Sequence, residues 1–425
     1  MASELKVLGG GDANGSADAH EDCPGLGGGG GGDSGAKDER PLLKPNPSSS
    51  SSNGGGGAAA AAAAAVIAES VEELNKKYGP YVRRDTYGTM GRGELPAAEK
   101  LLLAIAMVTL VPLRLVLGIV VLVVYYLICR VCTLFSVPNR EDGQEDYAHM
   151  VGWRREVVVR SGRFLSRVML FVFGFCWIRE YDLRSEDERG ELSEESERPG
   201  VIVSNHISHL DILYHMSSSF PSFVAKLIYP NAYVEHECMI ELDVSNGFLV
   251  ASLCSKCLGC VYVQRESKTS DFKGVSGVVT ERIREAHENK LSPMMLLFPE
   301  GTTTNGGYLL PFKTGAFLAK VPVLPVILRY PYKRFSPAWD SISGVRHVFL
   351  LLCQFVNHIE VIRLPVYYPS EQEKEDPKLY ANNVRRLMAT KGDLILSDLG
   401  LAEKRVYHAA LNGNCLPRVL HPKDE

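Results

Sequence analysis

Between Leu101 and Cys129 the chain carries two apolar runs, Leu101 to Leu113 and Leu115 to Cys129, joined at Pro112 and Arg114. No polar spacing divides them, so neither reads as the half-exposed helix of a soluble domain. Each run is shorter than the ~20 residues that a straight membrane span needs. Taken as one span they are long, and Arg114 falls near mid-membrane, where a charge costs at least about 2.5 kcal/mol. A helix-break-helix hairpin over residues 101–130, dipping into one leaflet, avoids both problems and is the expected form. A single tilted span is the alternative. Lys100 and Arg92 before the segment, with Arg130 and Arg140 after it, give basic flanks on both sides, as a cytosol-facing hairpin would.

The rest of the chain divides around this segment. Residues 1–65 are Gly, Ser and Ala runs that cannot bury enough apolar surface to offset their ordering entropy, and are expected to be disordered. Residues 66–100 read as a short helix and a linker. The first forty residues hold Glu4, Asp12, Asp18, Glu21, Asp22, Asp33, Asp38 and Glu39, which argues against an acid-poor transit peptide. Ten scattered cysteines without a secretory signal read as reduced thiols facing the cytosol. A net charge of −4 supplies no basic field and argues against nucleic acid as a partner. Residues 391–425 read as a C-terminal tail.

From Val201 onward the composition changes. Strand-like segments at Val201 to Ser204, Phe223 to Ala225, Val261 to Gln264, Met294 to Phe298 and Val323 to Arg329 alternate with helix-like ones at Leu210 to Ser217 and Val275 to Lys290. Such alternation predicts an α/β domain over residues 150–390, a central mixed sheet flanked by helices. Strand ends then present their loops to one cleft. Before the sheet, Val168 to Ile178 is an apolar, aromatic run suited to the membrane interface or the core, and residues 185–198 form an acidic, solvated loop.

Within the domain, Val201-Ile-Val-Ser-Asn-His-Ile-Ser-His-Leu-Asp211 reads as strand, turn and helix start. Five helical residues turn through about 500°, which would point His206 and Asp211 some 140° apart. The two can meet only if His206 sits in the loop and Asp211 in the first helical turn. Asp211 then orients His206 as a general base. A second reading of the same residues has Ser208 as N-cap and Asp211 closing a variant capping box, a helix start with no chemistry. Both stay open on this stretch alone.

Further along, Gly259 to Arg265 is a glycine turn and strand ending in a cation suited to a phosphate. Phe298-Pro-Glu-Gly-Thr302 follows a buried strand, and Thr302, Thr303 and Thr304 with Gly301 offer donors to a phosphate or hydroxyl-rich substrate. Val321-Pro-Val-Leu-Pro-Val326 carries two prolines, which predicts an edge strand or a bend. Cys254, Cys257 and Cys260, with His236 and Cys238 upstream, have metal-like spacing, but Cys257 and Cys260 belong to the turn and strand leading to Arg265, so no metal site is expected.

In order, these blocks resemble the four-block signature of the glycerolipid acyltransferase (PlsC-type) family, over about residues 150–390. Phe298 to Gly306 with Phe312 to Phe317 resembles its lysophospholipid acyltransferase branch. The flanking Pro112 to Leu115 and Tyr125 to Arg130 are similar to plant members that use lysophosphatidylethanolamine. The resemblance implies transfer of a fatty acyl group from acyl-CoA to the free hydroxyl of a lysophospholipid, at an endoplasmic reticulum membrane with the catalytic domain facing the cytosol. It implies His206 as general base and Asp211 as its orienting acid, with Arg265, Glu300, Gly301 and Thr302 holding the glycerol phosphate and Pro325 shaping the acyl-CoA side. It implies no metal and no cofactor beyond acyl-CoA as substrate. One segment departs from the pattern: residues 227–253 are longer and more acidic than the usual connection, which leaves as an alternative a catalytically inactive membrane lipid-binding or interaction protein that keeps the fold. Within the enzyme class the alternative is a CoA-independent transacylase.

Overall fold

The structure is a computed structural model that describes residues 71–141, 144–147, 149–183, 198–226, 249–263 and 275–412. The disorder expected for 1–65, the core of the acidic loop 185–198, most of segment 227–253, and Arg265 lie outside the described residues.

Residues Ala97–Thr133 form one continuous helix of 37 residues, α1, with Pro112 inside it. The expected break at Pro112 is therefore absent. Arg114 supplies the reason: its guanidinium is buried and donates to the carbonyls of Leu352, Gln354 and Phe355 at 2.9, 2.6 and 3.2 Å, so the charge is satisfied without a bend. The helix is long and apolar enough to cross a membrane. It packs antiparallel to α2, Trp153–Val172: Gly118 lies beside Met169, whereas Tyr125, Cys129 and Cys132 share a cluster with Val158.

The sheet comprises β1 (Ile178–Asp182), β2 (Val201–Ser204), β3 (Ser222–Lys226), β4 (Val261–Val263), β5 (Met295–Leu297), β6 (Val323–Arg329) and β7 (Ile359–Arg363). Their spatial order is β1-β7-β6-β2-β5-β3-β4, parallel except where β7 meets β6, so the sheet is mixed as expected. Strand alternation sends side chains to opposite faces. Val201, Val203 and Met295 pack under α5 (Val275–Glu288) and α7 (Pro377–Gly392), and Ile202, Leu296 and Leu328 pack under α2, α3 (Leu210–Ser218) and α6 (Gly344–Leu352). The result is a three-layer sandwich. A further helix, α4 (Leu249–Leu258), joins α1 and α2 in the cluster around Cys129 and Cys257.

Two expectations change here. β6 is interior, paired with β2 on one side and β7 on the other, and is not an edge strand. Pro325 is tolerated because pairing with β7 begins one residue later, at Val326, and because its carbonyl still accepts the Leu364 N–H at 3.1 Å. The C-terminal segment, described to residue 412, adds a two-residue strand to Tyr308–Leu309 and a helix, α8 (Leu401–Leu411), which buries Tyr407 and Lys404.

Candidate active site

Three adjacent strands, β5, β2 and β6, deliver their following residues to one carboxyl edge of the sheet. β5 leads to Phe298 and Glu300, β2 to Asn205 and His206, and β6 to Tyr330. Asn205 extends the sheet with its side chain, donating to the Leu328 carbonyl at 3.0 Å and accepting from the Leu328 N–H at 2.8 Å. The residue before His206 is thereby tied to β6.

His206 lies in the loop and α3 begins at Leu210, so Asp211 stands in the first turn. His206 Nδ1 is 2.9 Å from Asp211 Oδ2. The same oxygen accepts the N–H groups of Ile207 and Ser208 at 2.7 and 3.0 Å, so Asp211 fixes the helix start and the imidazole together. The geometry that the first reading requires, His206 in the loop and Asp211 in the first helical turn, is present, and the capping reading changes in one respect. The N-cap residue is His209, not Ser208, and no side chain caps it.

An ionised carboxylate only accepts, which assigns the proton to Nδ1 and leaves the lone pair on Nε2. Nε2 has no partner among the described residues, and the His206 side chain is 14 % exposed. Its ring stacks on Phe298 with centroids 4.1 Å apart and planes 15° from parallel. Asp211 is fully buried, and its other oxygen, Oδ1, accepts the Tyr330 hydroxyl at 2.6 Å. Four donors thus compensate the buried charge. Burial, then the Asp211 carboxylate, holds the Tyr330 hydroxyl protonated, well above the usual phenol range.

Glu300 is buried and acts on His206 from behind. Its Oε1 accepts the His206 N–H at 2.7 Å and its Oε2 the Leu310 N–H at 2.8 Å, so the backbone engages both oxygens. Burial pushes its carboxyl up to about 8 against those two backbone donors. Gly301 follows at φ +71°, a left-handed conformation that favours glycine, and a Cβ there would collide with Lys313 Nζ.

Of the three threonines, two are used within the fold. Thr303 Oγ1 donates to the Trp339 carbonyl at 2.5 Å and accepts from Lys404 Nζ at 2.8 Å. The Thr304 N–H donates to the His206 carbonyl at 3.0 Å, and its hydroxyl to the Tyr308 carbonyl at 3.4 Å. Thr302 Oγ1 is buried with no partner among the described residues. Pro325 is buried in β6 opposite Val203. Arg265 lies outside the described residues. Phe298 and Tyr330 were not assigned from sequence; Phe298 opens a quoted motif, but nothing local marks a tyrosine at the end of a strand.

Buried imidazoles surround this centre. Burial pulls His209 down to about 4 and His215 to about 3, and lowers His347 as well, so all three are neutral at pH 7.

A buried acid orienting an imidazole whose second nitrogen has no partner among the described residues, at the carboxyl edge of a mixed sheet, makes a site able to activate a hydroxyl. Residues 187–329 match the family model described as Acyltransferase. The chain is 61% identical to the lysophospholipid acyltransferase LPEAT1 of Arabidopsis thaliana, covering 84% of this chain and 93% of that one. It is 33% identical to lysophosphatidylcholine acyltransferase 1 of Danio rerio, over 68% of this chain and 50% of the relative. A solved 1-acyl-sn-glycerophosphate acyltransferase from Thermotoga maritima is similar at 15% identity and a TM-score of 0.36, over 64% of this chain and 96% of that one. The chain belongs to the lysophospholipid acyltransferase family.

Proposed function

We propose that this protein transfers a fatty acyl group from acyl-CoA to the free hydroxyl of a lysophospholipid. The observation that carries the reading is the His206–Asp211 pair at 2.9 Å with Nε2 unpartnered among the described residues. Nε2 takes the hydroxyl proton as that oxygen attacks the thioester carbon. The C–O bond forms, the C–S bond breaks, and the proton leaves with the CoA thiol. A thioester is already activated, so this route calls for no covalent enzyme intermediate and no cofactor.

The remaining residues have graded roles. Glu300 and Tyr330 position His206 and Asp211. Thr302 Oγ1 and the backbone at Gly301 supply donors for the glycerol phosphate, joined by Arg265, and Pro325 shapes the acyl-CoA side. Membrane attachment is supported by α1, where Leu101, Val108, Leu113, Val116 and Val131 are all more than half exposed, and by Phe164, Phe171 and Trp177 nearby in sequence order on α2 and beyond it. Acyl-CoA is made in the cytosol, so the catalytic domain faces it, at the endoplasmic reticulum. Lysophosphatidylethanolamine is the preferred acceptor on the resemblance of the flanking sequence.

The test is thiol release from oleoyl-CoA by membranes carrying the chain, offered lysophosphatidylethanolamine, lysophosphatidylcholine, lysophosphatidate or no acceptor. Acceptor-dependent release, highest with lysophosphatidylethanolamine, is expected. Acyl transfer from a phospholipid donor without thiol release would make the protein a CoA-independent transacylase instead.

A further inference from the structure

A cavity of about 240 Å³ lies between the segment after β6 and the segment before β7, lined by Pro331 to Phe335 and Gln354 to His358. Because β7 runs antiparallel to β6, both segments emerge at the edge of the sheet that carries His206. The cavity is nevertheless built from residues the catalytic geometry does not use. Among its lining residues the charged side chains are Lys333 and Arg334, and His358 adds a ring N–H donor. Lys333 and His358 are exposed and have no partner among the described residues, and Arg334 is held against Glu99 of α1, with Nη2 to Oε1 at 2.6 Å.

One rim of this cavity is apolar and continuous with α1. Phe355 and Val356 are 45% and 47% exposed at the tip of their loop. Arg114 pins that tip to the middle of α1 by donating to the Phe355 carbonyl at 3.2 Å, where Leu113, Leu115, Val116 and Leu117 are themselves exposed. Apolar surface for chains thus adjoins a pocket holding an uncompensated ammonium. Such a junction suits an amphiphile with an anionic head, since its phosphate meets the Lys333 ammonium while its chains follow the helix.

We propose that this cavity is a binding site for the head group of an anionic phospholipid of the surrounding membrane, separate from the acceptor site. The proposal rests on the membrane attachment of α1 given above. Lys333 and His358 engage the phosphate, Tyr332, Phe355 and Val356 flank the glycerol and upper chains, and the Arg334–Glu99 pair fixes the wall to the helix. Bound lipid would join α1 to the segment that follows Tyr330.

The experiment uses the full chain in dodecyl maltoside, with retained lipid counted by native mass spectrometry after addition of dioleoyl phosphatidate or dioleoyl phosphatidylcholine. The wild type is expected to retain one phosphatidate in preference to phosphatidylcholine. Exchanging Lys333→Glu together with His358→Glu is expected to cut that retention by about tenfold or more, because attraction becomes repulsion. Lys378→Glu, on the exposed start of α7, is the charge control and is expected to retain lipid as the wild type does. All three chains are expected to transfer acyl groups equally.

Four results would overturn the proposal: undiminished retention in the double variant, equal retention of the two lipids by the wild type, displacement of phosphatidate by millimolar inorganic phosphate, or loss of acyl transfer in the double variant alone, which would make the cavity part of the acceptor site. Absence of acyl transfer from every chain, the wild type included, would instead count against the acyltransferase reading, and lipid retention would still decide the cavity.

Discussion

The Tyr330 hydroxyl donates to Asp211 Oδ1 at 2.6 Å, on the far side of the carboxylate from His206. A residue at the end of β6 therefore completes the hydrogen bonding of an acid on α3. Tyr330→Phe keeps the ring and its edge contact with Phe175, and removes only the donor. A buried acceptor left unmade costs about 1–3 kcal/mol. Turnover is expected to fall roughly five- to a hundredfold, with KM for the lysophospholipid nearly unchanged, since Tyr330 reaches substrate only through Asp211 and His206. Steady-state kinetics across acceptor concentration separate the two, and a change confined to KM would remove Tyr330 from this role.

Glu300→Gln tests the support behind the imidazole. Either protonation state of the carboxyl leaves both oxygens able to accept, whereas the amide nitrogen of glutamine would face a backbone N–H, of His206 or of Leu310, donor to donor. A loss of about 1–3 kcal/mol of positioning is expected, lowering kcat roughly five- to a hundredfold. A variant whose kcat is normal and whose KM for the acceptor rises would instead put Glu300 in contact with the glycerol phosphate.

The buried histidines set an acid limit on stability. His209 and His215 sit near 4 and 3 in the fold, against 6.5 in the unfolded chain, because burial disfavours their charged forms. Above pH 6.5 both states are neutral and the residues contribute nothing to the pH dependence. Below it the unfolded chain binds protons that the folded chain refuses, so stability falls as the pH falls, down to about 4 for His209 and about 3 for His215. Each contributes about 1.4 kcal/mol per pH unit within its window. Between pH 7 and 5 the unfolding midpoint of the wild type is expected to fall more steeply than that of His215→Leu, and parallel curves would show that His215 is not neutral in the fold.

How much of this was legible in the sequence depends on the distance between partners. β2 was read with its observed bounds, and the His206–Asp211 geometry followed from helix periodicity, because both are local. Pro112 misled because the partners of Arg114 lie more than 230 residues away, at the end of α6 and in the loop before β7, and a charge satisfied there needs no bend. Pro325 misled because edge and interior positions differ only in which neighbour pairs at which residue, information that lies in β7. The threonines looked like three equivalent donors. Lys404 and Trp339, from distant segments, occupy Thr303, and the His206 loop occupies Thr304, which leaves Thr302. Tyr330 belongs to the same class, a side chain whose role exists only after β6 and α3 are brought together.

The central claim is that Nε2 of His206 removes the acceptor proton. The direct test is thiol release from oleoyl-CoA with lysophosphatidylethanolamine, comparing wild type with His206→Ala, with inserted, folded protein matched by thermal unfolding. Loss of acceptor-dependent release to background, a decrease of at least about a thousandfold on the scale of a missing general base, is the expected result. A His206→Ala chain that keeps a tenth or more of the wild-type rate would contradict the assignment and place the base elsewhere.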